Sequence, residues 1–569
     1  MARVVDVQQT RVLTFEPPAE PPQKTFAEVL VVGGGLGGVA AALAACEGGR
    51  TVILVEETDW LGGQATSQGV SALDENAHIE TSGGTRTYGA FRTAIRDWYR
   101  RNARLRANVD PQRPFNPGNG WVSRLCFEPR AALEVIDAML AGCIASGHLR
   151  VMLRQKPYAL EVRDGRVRHV DFVDLDEKTT QRISAALVID ASELGDLLAL
   201  GAAKFNVGAD ARADFNEPSA PDEGDPLDVQ SFTYPFVIEH APGGEYRIAK
   251  PPRYEHNRGE QPYTLVVHYH DRGDLKYGMF VKGQGVGPFW TYRRLIDAGQ
   301  FDDPKYPRDL SMINWPGNDY RDGSITVDSP EEVVRQLQAA KDLSLGLLYW
   351  LQNECERDDG GVGYPEFKLR PDVLGTADGL SKFPYIRESR RLVAEKIIVE
   401  QDVIVGPNRG PRAVHFPDSV GIGHYAIDIH ESRRSRKQIL SRTLPFQIPL
   451  GALIPRETSN LLAGAKNIGV THITNGCYRL HPIEWAIGEA AGTTAALCIE
   501  RQVSPSQVRR TPELLRELQR RLVARGVPIM WYDDVTPADD HFQRVQLLPF
   551  ERPAVLETLK DLHAPKQGP

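Results

Sequence analysis

Residues 28–56, EVLVVGGGLGGVAAALAACEGGRTVILVE, constrain this chain more than any other stretch. Residues 28–32 are a short, apolar, β-branched run, suited to a strand buried on both faces. Gly33, Gly35 and Gly38 follow as G-x-G-x-x-G, with Leu36 and Gly37 inside the motif, directly before an Ala-rich helix over residues 39–46. A Gly-Gly-Arg break leads to a second strand, residues 51–55, which ends at Glu56 and Glu57. Gly33 permits a tight turn, Gly35 lets backbone approach a pyrophosphate, and Gly38 lets helix and strand pack closely. Exposed helix N–H groups attract a diphosphate. Glu56 comes 18 residues after Gly38, where a carboxylate can accept hydrogen bonds from ribose hydroxyls. Its charge also repels a 2′-phosphate, which disfavours an NADP-type ligand. The order of these parts predicts a dinucleotide-binding unit.

Three further segments bear on which dinucleotide. After Glu57 the chain reads Thr58-Asp59-Trp60-Leu61-Gly62-Gly63-Gln64-Ala65-Thr66, whereas an NAD domain would run straight into another helix and strand. Residues 186–192, ALVIDAS, are an apolar strand closing on Asp190-Ala191-Ser192. Residues 460–467 read NLLAGAKN, and residues 478–492 read YRLHPIEWAIGEAAG. Pro482 suits the first turn of a helix, where its missing N–H is not needed. Gly488 and Gly492 share one helix face and allow close backbone packing. The positive end of such a helix can face a flavin pyrimidine edge and favour the charge gathered there on reduction.

On these residues the chain resembles the broad family of FAD-dependent oxidoreductases. It carries VVGGGLGG from Val31, GGQAT from Gly62, RESRR from Arg387 with Asp428-Ile-His430 after it, and GEAAG from Gly488. The resemblance spans roughly residues 28–500 and implies FAD as the cofactor. It implies an α/β fold: a Rossmann-like FAD-binding domain of glutathione-reductase type, an inserted α+β substrate domain and a helical C-terminal tail. Gly62, Gly63, Gln64 and Thr66 would then pass the ribityl chain and flavin. Ala191 and Ser192 close the second motif, although Ser192-Glu193-Leu194-Gly195 stands where the family often has Thr-Gly-Asp-Gly. The strand around residues 155–159 would pass the adenine near Lys156. Ala465, Asn467, Pro482, Ile483 and Ile487 would lie along the cofactor from the third segment. No second GxGxxG supplies a separate NAD domain, and the eight tryptophans form no WxWxIP, which weakens a halogenase reading.

The expected organisation follows from these motifs. Residues 1–27 form an extended Pro-rich arm, 28–207 and 381–502 the two parts of the FAD-binding domain, 208–380 a substrate or lid domain, and 503–569 a helical cap. Helices are expected over 85–107, 129–146 and 330–354, and in the run ELLRELQRRLVARG. Residues 151–173 read as a β-hairpin turning at Asp164-Gly165. Further strands are expected at 237–240, 265–270 and 279–282, and an exposed acidic loop at 208–228.

Composition narrows the function classes. A net charge of −8 argues against a dedicated nucleic-acid binder. The six cysteines are scattered without a CxxC, so iron–sulfur, zinc-knuckle and dithiol chemistry lose support. No apolar run reaches the ~20 residues of a membrane span, and the first 26 residues lack a secretory apolar region. The expected setting is cytoplasmic, without a membrane partner. His268 and His270 share a strand face but have no evident third ligand, so no metal is expected.

The expected chemistry is hydride transfer from a C–O or C–N bond of a polar small molecule to flavin N5. Dioxygen or another electron acceptor would reoxidise the flavin; monooxygenase and non-redox uses of FAD are the rival readings. His472 and His481 flank the flavin-proximal loop and are the expected bases. Arg479 would hold an anionic substrate or the reduced flavin. Asp74 and Glu75 follow the Gly62-Gly63 turn and are expected along the cavity, while the segment 314–320 has the polar-aromatic makeup of a pocket or of an ordered turn. Arg387, Glu388, Arg390 and Arg391 form a dense charge cluster that reads as a solvated face or an internal ion pair. Self-association stays open.

Overall fold

The structure, a computed structural model, describes residues 1–269, 273–326, 329–406, 410, 412–435 and 438–556. The first departure from expectation is at the N-terminus. Residues 1–27 do not form an extended arm: β1 (Ala2–Asp6) and β2 (Arg11–Phe15) pair antiparallel, with Ala2 opposite Phe15. The alternation in ARVVD and RVLTF explains this, because Val4, Leu13 and Phe15 share one face and are buried with Val173 and Leu175. Asp6 anchors the hairpin by accepting from Arg154 Nη2 at 2.8 Å and Arg11 Nε at 3.1 Å. Residues 23–27 already belong to the next strand.

β3 (Gln23–Val32), α1 (Leu36–Glu47) and β4 (Val52–Val55) form the strand–helix–strand unit. Val29 and Val31 face one core cluster, Leu30 and Val32 the other, so both sheet faces are covered. α2 (Arg86–Asn102) starts with Thr85 accepting from the Tyr88 N–H, and ends earlier than expected. After α3 (Pro129–Ala145), β5 (Leu149–Met152) runs parallel to β4 instead of entering the hairpin. Arg154, at φ 58°, breaks the chain there. The hairpin is β6 (Gln155–Arg163) with β7 (Arg166–Asp174), turning at Asp164 and Gly165, both at positive φ. β8 (Thr180–Asp190) completes the order β5-β4-β3-β8-β7-β6.

The segment expected to be an exposed loop, 208–228, is partly buried. Ala209 bridges Asp225, and Glu217 accepts from the Glu400 N–H at 2.7 Å and from Thr471 Oγ1 at 2.6 Å. Beyond it, β9 (Phe236–His240), β10 (Arg294–Ile296), β11 (Leu310–Ile313), α4 (Pro330–Asn353) and β12 (Phe367–Leu369) form a second unit. Its antiparallel sheet has the order β10-β11-β9-β12. It shares an aromatic-rich core with α4, including Tyr254, Trp290, Trp315 and Phe367. Val266–Tyr269 pairs with Gly273–Lys276; His270 lies outside the described residues. No strand forms at 279–282, because the Asp358 carboxylate takes the Met279 and Phe280 N–H groups.

The chain then returns to the first sheet. β13 (Leu461–Ala463) pairs parallel with the end of β8, so five parallel strands run side by side. α5 (His472–Tyr478) and α6 (His481–Arg501) follow. α6 lies directly against α1: a Cβ on Gly488 would stand 1.9 Å from the Gly37 carbonyl oxygen, and one on Gly492 2.2 Å from that of Ala41. α7 (Pro512–Ala524) buries Leu515, Leu518, Leu522 and Val523 on one face. Among the described residues no helix is long and apolar enough to cross a membrane.

Candidate functional site

Six segments far apart in sequence meet at the C-terminal ends of the parallel strands. Gly33, at φ +101°, leaves no room for a side chain: a Cβ would lie 2.2 Å from the Ala191 oxygen. A Cβ on Gly38 would meet the Gly33 oxygen at 1.8 Å, and one on Gly37 the Gly464 oxygen at 2.2 Å, beside Ala465. The Gly62-Gly63 turn, at φ +105° and +50°, rests on this loop, with the Gly62 N–H donating to the Gly34 oxygen at 2.7 Å. Thr66 closes the turn by donating to the Leu61 oxygen at 2.5 Å. Ala191 donates to the Val32 oxygen at 2.7 Å, Ser192 Oγ donates to Asp190 Oδ1 at 2.6 Å, and Asn467 Nδ2 donates to the Asp190 oxygen at 3.0 Å. Leu36, Pro482, Ile483 and Ile487 are buried at or near the starts of α1 and α6.

Two loop N–H groups, those of Gly34 and Gly37, hold carboxylate oxygens, the donor chemistry a diphosphate also needs. Glu56 Oε2 accepts from the Gly34 N–H at 2.6 Å while its Oε1 accepts from both the N–H and hydroxyl of Thr58 at 2.8 Å. Glu484 Oε1 accepts from the Gly37 N–H at 3.2 Å, and its other oxygen accepts from Gln64 Nε2. Burial pushes Glu484 up to about 7, with Lys466 opposing and Glu193 reinforcing the shift. Glu193 pairs with Lys466 at 2.5 Å, and a Cβ on Gly35 would come within 2.7 Å of its Oε1. Glu57 is held by Lys156 Nζ at 2.9 Å, and the same ammonium reaches Asp196 at 2.9 Å. Lys156 is therefore committed to two carboxylates; Gln155 and Pro157 of β6 line the crevice beside Gly33, Glu56 and Ser192.

A second cavity, of about 260 Å³, opens beyond the Gly62-Gly63 turn. Arg479 joins the two: its carbonyl accepts from Gln64 Nε2 at 3.0 Å, and its guanidinium lines the cavity. Arg479 Nη1 donates to the Tyr385 hydroxyl at 2.8 Å and Nη2 to the Asp428 oxygen at 3.1 Å. Arg293 Nη2 donates to Asp74 Oδ1 at 3.0 Å, and Arg387 Nη2 donates to Asp319 Oδ1 at 2.8 Å. His430 sits between two carboxylates, Nδ1 2.7 Å from Asp319 and Nε2 3.2 Å from Asp428. Burial and Arg387 work against its charge, but the two aspartates win and raise its pKa. Burial alone would raise Asp319; Arg387 and His430 bring it down to about 2.

The expected bases are elsewhere. His481 is fully buried; its Nδ1 accepts from the Asp74 N–H at 3.1 Å and its Nε2 donates to the Val70 oxygen at 3.0 Å. Burial lowers it to about 4, so it is a neutral post bracing residues 70–74, with no nitrogen free for a substrate proton. His472 Nδ1 lies 2.9 Å from Glu388, on the far side from this cavity; burial opposes its charge, but Glu388 raises its pKa. Glu75 also faces away, bound to Arg92 and Tyr88 of α2, while Asp74 does reach the cavity. Arg391 pairs with Glu388 and Asp210, as an internal ion pair, but Arg387 belongs to the cavity. Among the described residues no group of three or more His, Cys, Asp or Glu could hold a metal ion.

A sequence profile of the FAD dependent oxidoreductase family matches residues 28–522. The chain belongs to that family. It is an enzyme, its cofactor is FAD, and its mixed α/β architecture with a parallel-strand sheet agrees with a Rossmann-type FAD-binding fold. No match is found among curated protein sequences. Among solved structures, similarity is found to L-proline dehydrogenase from P. horikoshii (16% identity, 31% of this chain and 24% of that one, TM-score 0.17). A geranylgeranyl bacteriochlorophyll reductase-like protein from Thermoplasma acidophilum aligns at 12% identity over 95% of this chain and all of its own, TM-score 0.29. OxyS anhydrotetracycline hydroxylase from Streptomyces rimosus aligns at 12% identity over 96% of this chain and 78% of its own, TM-score 0.33. This chain spans about a quarter of the first of these. At such TM-scores the structural likenesses carry no argument about this flavoenzyme.

The residues that sequence reasoning missed in this flavoenzyme share a cause. Arg293, Tyr385 and Tyr425 lie on or beside strands and loops of the second unit and the return segment, without local spacing to mark them. His430 carries a signal in Asp428-Ile-His430, at the end of a short strand, but its chemistry comes from Asp319 opposite it.

Proposed function

We propose that this flavoenzyme is a dehydrogenase or oxidase that takes a hydride from a C–O or C–N bond of a polar small molecule bound in the Arg479 cavity. The observation that carries this reading is the double attachment of Arg479: backbone to Gln64 at the Gly62-Gly63 turn, side chain into the cavity. FAD, when bound, supplies the hydride acceptor. Gly35, Leu36 and Gly38 would hold its diphosphate through backbone N–H groups, Gly33 and Gly37 would give the close backbone approach, and Glu56 would hold its ribose. Gly63, Gln64, Asn467 and the start of α6 would line the remainder.

Arg479 and Tyr385 orient the substrate by hydrogen bonds. Loss of the Nε2 proton to solvent by way of Asp428 leaves His430 neutral and still donating from Nδ1 to Asp319. The O–H or N–H proton that must leave with the hydride then passes through Asp428 Oδ2 to His430 Nε2, restoring the imidazolium. His430 suits this relay because it lines the substrate cavity and two neighbouring cavities, and Asp319 lines one of those neighbours. His481 fixes residues 70–74 beneath the cavity without moving a proton. Anaerobic mixing of the purified holoenzyme with alcohols, hydroxy acids, amines and amino acids should bleach the oxidised flavin spectrum with at least one class. Turnover with the flavin oxidised throughout would overturn the reading.

A further inference from the structure

We propose that the substrate of this cavity carries a single carboxylate, held by Arg293, Arg387 and Arg479. The inference rests on the reading of the cavity as the substrate site. Each guanidinium is nine-tenths or more buried and lines the same cavity, and in each the Nε has no hydrogen-bond partner among the described residues. Unpartnered Nε atoms also occur away from this site, at Arg168 and Arg525, but here three such guanidiniums meet at one cavity. The other arginine nitrogens are occupied, by Ala72 and Asp74, by Ser231, Thr233, Asn314 and Asp319, and by Tyr385 and Asp428. These partners fix the three groups in place, so little conformational freedom is lost when a ligand arrives.

The charge balance points the same way. Arg293, Arg387, Arg479 and the imidazolium of His430 are four cations, and Asp74, Asp319 and Asp428 are the three anions paired with them. Arg321 and Glu431, next to His430, cancel each other. One positive charge is left without a counterion inside a buried cavity, and a monoanion neutralises it. A phosphate monoester, near −2 at neutral pH, would leave an excess of negative charge. The rest of the wall includes Val122, Val267, Trp315 and Leu440, which suits an apolar or aromatic body on that carboxylate.

The test uses the holoenzyme and ligands that cannot be oxidised there, so binding is read without turnover. Benzoate and phenylacetate are titrated against the flavin absorbance spectrum beside benzamide and phenyl phosphate. A saturable perturbation by at least one carboxylate, at least tenfold tighter than by the amide or the phosphate ester, is expected. Arg293→Lys and Arg479→Lys should each weaken carboxylate binding at least tenfold at unchanged flavin content. The ligand series on the unaltered protein keeps the test decisive if either variant folds poorly. Equal affinity for benzamide, tighter binding of phenyl phosphate, or no perturbation by either carboxylate overturns the inference. If neutral alcohols or amines bleach the flavin while carboxylates do not bind, the carboxylate assignment fails and the hydride reading stands. If carboxylates bind while no hydroxy or amino acid reduces the flavin, the assignment stands and the hydride reading fails.

Discussion

The dinucleotide crevice and the arginine cavity adjoin each other but are built from different materials. The crevice is mostly backbone: Gly33, Gly37, Gly38, Gly62, Gly63 and Gly488 let main chains approach where no side chain fits. The cavity is mostly side chain: three guanidiniums, three aspartates and an imidazole drawn from separated segments. A backbone-built site tolerates no added atom, whereas a side-chain-built site tolerates changes of shape and fails when charge or hydrogen bonding changes.

The largest expected effect breaks the crevice. Gly37→Val places a Cβ against the Gly464 oxygen at 2.2 Å, so it should cost roughly 3 kcal/mol or more and abolish flavin retention. Flavin-to-protein ratio and thermal unfolding check this; a yellow protein with an unchanged Tm would refute the close-approach argument. His481 joins the two regions, and its pKa is depressed from ~6.5 to about 4. The stability it contributes is present above pH ~6.5 and lost as pH falls toward 4, about 3 kcal/mol in all. Urea unfolding at pH 7.5 and 4.5 should show that loss in the unaltered protein and much less of it in His481→Asn. His472, whose pKa is raised, should behave oppositely: its contribution is present below pH ~6.5 and disappears as pH rises through its folded value.

In the cavity, His430→Asn should slow flavin reduction by about 100-fold with FAD content unchanged, as loss of a proton relay does. Parallel loss of FAD would instead assign His430 to the crevice. Glu56→Ala, which removes the chief side chain at the crevice loop, should weaken FAD retention about tenfold, roughly 1.4 kcal/mol. Dialysis against a flavin-free buffer measures it; unchanged retention would leave the crevice to backbone alone. The smallest effect serves as a control remote from both regions. Glu517→Gln weakens a partly exposed pairing with Arg501 and Arg521 and should change stability by less than about 1 kcal/mol.

Much of the crevice was legible because its parts are local. A strand, a G-x-G-x-x-G turn and an Ala-rich helix are consecutive in sequence, and each residue type is demanded by the backbone beside it. Gly488 and Gly492 could be recognised as a packing face from their spacing alone, though not that α1 was the partner. The N-terminal hairpin is written in the alternation of residues 2–6 and 11–15, while EPPAEPP, which by composition favours extension, lies after its second strand. The roles of the histidines were not legible in this way. Motif position brought His472 and His481 near the right loop, but burial and backbone partners decide whether an imidazole can take a proton, and neither is visible in a linear pattern.

The sequence by itself determined the nucleotide-binding unit, the family and the cofactor, because those depend on steric permissions written residue by residue into neighbouring positions. Only the tertiary structure decided which charges face one another. Asp319 and His430 are 111 residues apart, and Arg293 reaches Asp74 across 219. Electrostatic pairing depends on distance in space and on the exclusion of water. Neither exists until the strands have closed and the second unit has packed above them.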